Sequence, residues 1–168
     1  MNLIIVSIVI FMLYIASMVC LFNIPWSISN TYYLLEKKRK GLGWMFTAFC
    51  YGVGGFLLPG WLDITPEGYQ YTCFLSVAGL IFVGAAAQFK ESLTNTVHYT
   101  SAVICCLFSQ IWCFAAGFWL VSLLSFGFFL CMAGFSKKKN WMFWVEIAAI
   151  VATYISIVIA FNYGGTEI

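Results

Sequence analysis

The sequence predicts an all-α protein: a polytopic transmembrane bundle of six helices, residues 1–168 forming a single domain, with the N and C termini outside. Three observations predict it. Hydrophobic residues fill 63% of the 168 positions and charged residues only 8%, where a soluble domain carries about a quarter charged. A hydrocarbon core about 30 Å thick takes about 20 apolar residues per helix, and the apolar runs supply six such lengths with almost nothing left for a soluble domain. The eight basic residues stand at 37–40, 90 and 137–139, in the first, third and fifth loops, which six spans place on one side of the membrane. The positive-inside rule makes that side cytoplasmic.

The first span is residues 2–22. No Lys or Arg precedes it, and no small-residue cleavage site leads into a soluble domain, so it is expected to stay as a helix instead of leaving as a signal peptide. After it comes a polar stretch from Asn23 to Gly43. Pro25 bends or breaks a helix there, Ser27, Ser29, Asn30 and Thr31 are turn and cap formers, and Trp26, Tyr32 and Tyr33 suit a short interfacial helix at headgroup level.

The second span, 44–61, carries Gly52, Gly54 and Gly55, which let helix backbones approach, and is closed by Pro59 and Gly60. In the following loop Thr65 is placed to cap the next helix and Pro66 to begin it. The third span is 69–89. The 39 residues from Val97 to Phe135 hold no charge beyond what His98 carries, too many for one crossing at 1.5 Å per residue. A tight reversal at Ala115-Ala116-Gly117 divides them into spans 97–115 and 118–135. The sixth span is 141–161.

Seven cysteines lie inside apolar runs without CxxC spacing, as small hydrophobes and not as a metal or redox site. Cys73 and Cys113 share a depth near the outer face, which leaves a disulfide between them open. One histidine with scattered acids makes a poor zinc set, so no metal and no cofactor is expected. Basic residues confined to short loops exclude a nucleic-acid surface.

Helical spacing aligns His98, Ser101, Cys105 and Ser109 on the fourth span, and Glu146, Ala149, Thr153 and Ser156 on the sixth. An ionisable group at the depth of Glu146 needs a partner or a water-filled cavity; His98 and Lys90 enter at the same face. The candidate site is therefore a cytoplasmic-side polar pocket of Gln88, His98, Ser101 and Glu146 with Ser27 and Ser29 nearby. The competing reading is that these residues only join helices. Lys37, Lys38, Arg39, Lys40, Lys137, Lys138 and Lys139 are candidates for contact with anionic lipid, at about 1 kcal/mol each, or serve only to set topology. Asp63 and Glu67 read as a solvated loop on the far side.

Pro25-Trp-Ser-Ile-Ser-Asn-Thr-Tyr-Tyr, the run from Gly79 to Phe89, and Val97-His-Tyr-Thr-Ser-Ala resemble a group of small bacterial six-helix membrane proteins similar to the eukaryotic DRAM and Frag membrane proteins. The resemblance covers roughly residues 20–112. It implies that Ser27, Ser29, Tyr32, Tyr33, His98 and Ser101 share one cytoplasmic-side feature, and it implies a lipid-related role.

The resulting expectation is a non-enzymatic protein of the cell membrane, a bacterial inner membrane by size and resemblance. It would bind or organise membrane lipids, or support a membrane-protein partner or a second copy of itself, through the polar pocket. The alternatives are a small transporter or channel lined by Glu146 and His98, and an intramembrane lipid hydrolase, for which a single histidine is few.

Overall fold

A computed structural model describes residues 1–87, 92–135 and 140–163, with the backbone alone for 92–95. Among the described residues all regular structure is helical: α1 (Asn2–Phe22), α2 (Thr31–Lys38), α3 (Trp44–Asp63), α4 (Gln70–Ala86), α5 (Ser92–Ala115), α6 (Trp119–Phe135) and α7 (Trp141–Asn162), with one 3-10 turn at Glu67–Tyr69. Five segments are long and apolar enough to cross a membrane: α1, α3, Glu67–Ala86, Thr96–Ala115 and α7. The fifth predicted span, α6, is the short one. Its 17 residues rise about 26 Å.

Several boundaries differ from the sequence expectation. The second helix does not close at Pro59 but runs through it to Asp63, forgoing the one hydrogen bond that proline cannot donate. Thr65 does not start the next helix. Its hydroxyl donates back to the Trp61 carbonyl at 2.7 Å and accepts the Trp112 indole N–H at 2.8 Å, so it finishes α3. α4 begins at Gln70 and is described to Ala86, the expected end at Phe89 lying outside the described residues, while α5 begins five residues before the expected Val97. The interfacial helix is confined to α2, and residues 23–30 form a loop.

The reversal between α5 and α6 falls where it was expected, and the backbone shows why. Gly117 adopts φ +79°. Phe118 N–H reaches the Cys113 carbonyl at 2.8 Å and Gly117 N–H the Phe114 carbonyl at 3.1 Å, the paired bonds of a Schellman ending. Phe118 then packs on Trp112, with ring centroids 6.2 Å apart.

α3 packs against α1 and α4, α4 against α5, and α5 against α7, while α6 lies on α7 and α5. Side chains complete the circuit from α7 back to α1: Ser7 Oγ and Tyr154 OH lie 2.6 Å apart and Phe11 meets the Tyr154 ring at 5.7 Å. Aromatic rings fill much of the interior, including a Tyr14–Phe49 stack at 4.1 Å. The outside is equally apolar: Leu13, Leu124 and Phe128 are 60 to 66% exposed. That inside-and-out apolarity is the pattern of a protein solvated by lipid chains. Cys73 and Cys113, considered as a disulfide, are both free thiols. Each is engaged with a hydroxyl, Cys73 with Thr65 and Cys113 with Thr153.

Candidate functional site

The loop from Asn23 to Asn30 is built into the bundle. Asn23 ends α1 at φ 60°, and the chain then runs past the first turn of α7. The first amides of a helix lack partners within it; here Phe143 N–H donates to the Trp26 carbonyl at 3.0 Å. Asn140 Nδ2 donates to the Ile24 carbonyl at 2.6 Å, and Ile28 N–H donates to Glu146 Oε2 at 2.5 Å. On its other side the loop is tied to α1. Thr31 Oγ1 donates to the Ile28 carbonyl at 2.6 Å and lies 2.7 Å from Tyr14 OH. Ser27 Oγ accepts the Asn30 amide at 3.0 Å and meets Ser29 Oγ at 3.1 Å, a local turn of the kind serine favours.

Above this loop two adjoining cavities run up the bundle between α3, α4, α5 and α7. The one at the loop end, about 60 Å³, is bounded by Ile28, Ser29, Phe46, Phe49, Ala102 and Glu146, and the other, about 50 Å³, reaches Trp61. They share Phe49, Leu80, Cys105, Cys106 and Ile150 as walls.

The geometry sorts the sequence candidates. Ser27, Ser29 and Glu146 come together at the loop. His98 makes no hydrogen bond to Glu146: its ring lies near the Val83 carbonyl and stands edge-on to Tyr99 at 5.8 Å. Val83 holds one of the last four carbonyls of α4, which have no partner within the helix, and the next, Gly84, accepts from Thr47 Oγ1 at 2.8 Å. Thr47 thus finishes α4 from a neighbouring helix. Ser101 is buried on α5 beside the point where Gly79 admits it; a Cβ at Gly79 would stand 2.7 Å from both the Ser101 carbonyl oxygen and the Cys105 nitrogen. Gln88, Lys90 and Lys137–Lys139 lie outside the described residues.

Glu146 finds its hydrogen-bond donor in the Ile28 backbone amide, where sequence reasoning looked to His98 or Lys90. Lys37, Lys38, Arg39 and Lys40 are exposed, and Lys38 Nζ sits 5.6 Å from the Phe22 ring centroid. They project from a turn held by Glu36, whose carboxylate accepts the Gly41 amide at 3.0 Å and the Gly43 amide at 2.9 Å. Tyr32 packs over this turn, and partial burial, with the Glu36 charge beside it, pushes its phenol pKa up.

A second polar group was missed by sequence reasoning. Gln110, on α5, donates to the Ala149 carbonyl at 3.1 Å and to Thr153 Oγ1 at 3.3 Å on α7. A glutamine in the middle of an uncharged span is itself the signal that would have found it, because such amides join helices in lipid. Compared with known proteins, the chain matches no family model, no curated protein and no solved structure.

Proposed function

We propose that this chain is a non-enzymatic, six-span integral protein of a cell membrane, both termini outside, that holds membrane lipid. The observation that carries the reading is a groove of about 300 Å³ between α1 and α7, walled by Ile8, Met12, Val151, Ile155, Val158 and Ile159 among others. The Ser7–Tyr154 pair bridges the two helices beside it. In lipid there is no water to be expelled from such a groove, and side chains that line a void lose their dispersion contacts. An acyl chain restores them.

The exposed basic turn at 37–40 supports contact with anionic headgroups at the cytoplasmic face. The resemblance to the DRAM and Frag proteins points the same way on its motifs alone. Native mass spectrometry of protein extracted with its lipids tests the reading, with Ile155→Trp filling the groove. A discrete lipid kept by the wild type and lost in the variant supports it. Equal, unselective adducts in both would remove it.

The internal cavity favours a second reading, a small transporter. Flux in proteoliposomes that falls on Glu146→Gln supports it, and flux that is absent or unchanged counts against it.

A further inference from the structure

We propose that the cavity at the loop end is a binding site for a primary ammonium group. Glu146 supplies the charge. Its Oε2 accepts the Ile28 amide, while Oε1 has no partner and the carboxylate no cation among the described residues. A carboxylate inside a bundle is costly unless something offsets its charge, and this one borders an internal space.

The walls say which cation. Phe46 and Phe49 face the same cavity as Glu146 and are 1% and 5% exposed; aromatic faces attract a desolvated cation. Oxygen is scarce: Ser29 and Glu146 are the oxygen-bearing side chains on the wall. A hard metal ion, which takes six or more oxygens, is therefore poorly served. An ammonium group needs only a few directed acceptors, and a short alkyl arm on it suits the apolar remainder.

Size limits the arm. A cavity of about 60 Å³ has room for about four water-sized spheres, which fits methylammonium or the terminal amine of an ethanolamine headgroup, whereas a quaternary ammonium has no N–H to donate to Glu146 or Ser29. The loop residues Ile28 and Ser29 form part of the wall. None of this depends on the α1/α7 groove, and the site stands if the lipid reading fails.

The test is thermal unfolding of the purified full chain in detergent, titrated at constant ionic strength with methylammonium, tetramethylammonium or sodium chloride. The expected result is stabilisation by methylammonium alone. Glu146→Gln keeps an acceptor for Ile28 but loses the charge, and should need at least about tenfold more methylammonium for the same shift. Ala102→Leu fills the cavity while keeping the Glu146 side chain and should lose the response as well. Equal effects of the three cations on the wild type, or a wild-type response in both variants, would overturn the proposal. In nanodiscs, added phosphatidylethanolamine that suppresses the methylammonium response makes a lipid headgroup the natural source of the amine; an undiminished response makes it a free amine.

Discussion

At the scale of single residues, a few side chains hold backbone that no helix could satisfy. The Glu146 carboxylate fixes the loop through the Ile28 amide. Removing it leaves that amide unpaired, and Glu146→Ala should destabilise the protein by about 1–3 kcal/mol, whereas Glu146→Gln should retain most of the stability. Thermal unfolding in detergent separates the two. Glu36 does comparable work at the exposed turn, where it accepts two amides and where Gly41 takes φ +92°. Glu36→Ala should therefore open the turn, and limited trypsin digestion should cut faster at Lys37–Lys40 while the rest of the chain stays intact. A side chain at Gly43 would displace the Tyr32 ring, which stands 2.5 Å from where its Cβ would sit.

At the scale of helices, α4 meets α5 closely at Gly79. The atoms a Cβ would strike there are backbone, the Ser101 oxygen and the Cys105 nitrogen, so neither can turn aside and the helices must separate. Gly79→Val should cost about 1–3 kcal/mol. Gly127 on α6 has nothing within 4 Å, and Gly127→Ala should be neutral or raise stability by up to about 1 kcal/mol through helix propensity. Unfolding of the two variants side by side checks both. The apolar helices and the reversal at Gly117 were legible because they depend on local chemistry: apolar length, and a glycine that alone in its neighbourhood takes a left-handed turn easily; the helix ends at Asp63, Gln70 and Ser92 were not. What each polar side chain touches was less legible. A stripe gives the face of a helix but not its rotation against its neighbours, so His98 turned toward the α4 carbonyls. A backbone amide such as Ile28's leaves no mark in a sequence at all, and the partner of Glu146 could not be read from residue types.

At the scale of the whole molecule, the proposed topology puts the turn at 37–40 and the loop at 63–67 on opposite faces. With the native cysteines replaced, Glu67→Cys should label with a membrane-impermeant maleimide in intact cells. Lys40→Cys should label only after permeabilisation. Reversed labelling would invert the orientation, and equal labelling of both would break the six-span arrangement.

The same scale shows a consequence of the loop at 23–30 being held by Asn140, Phe143 and Glu146. Those three residues leave the ribosome more than a hundred positions after the loop they secure, and Tyr154 reaches Ser7 across a still longer stretch. During synthesis the Ile24 and Trp26 carbonyls and the Ile28 amide wait for partners that only α7 and the residue before it supply, and their arrival closes all three together. A chain cut short before α7 therefore carries a visible mark of incompleteness, an undocked interfacial loop. Membrane proteases that survey unfinished chains would find it there, and in the finished protein its backbone is tied to α7.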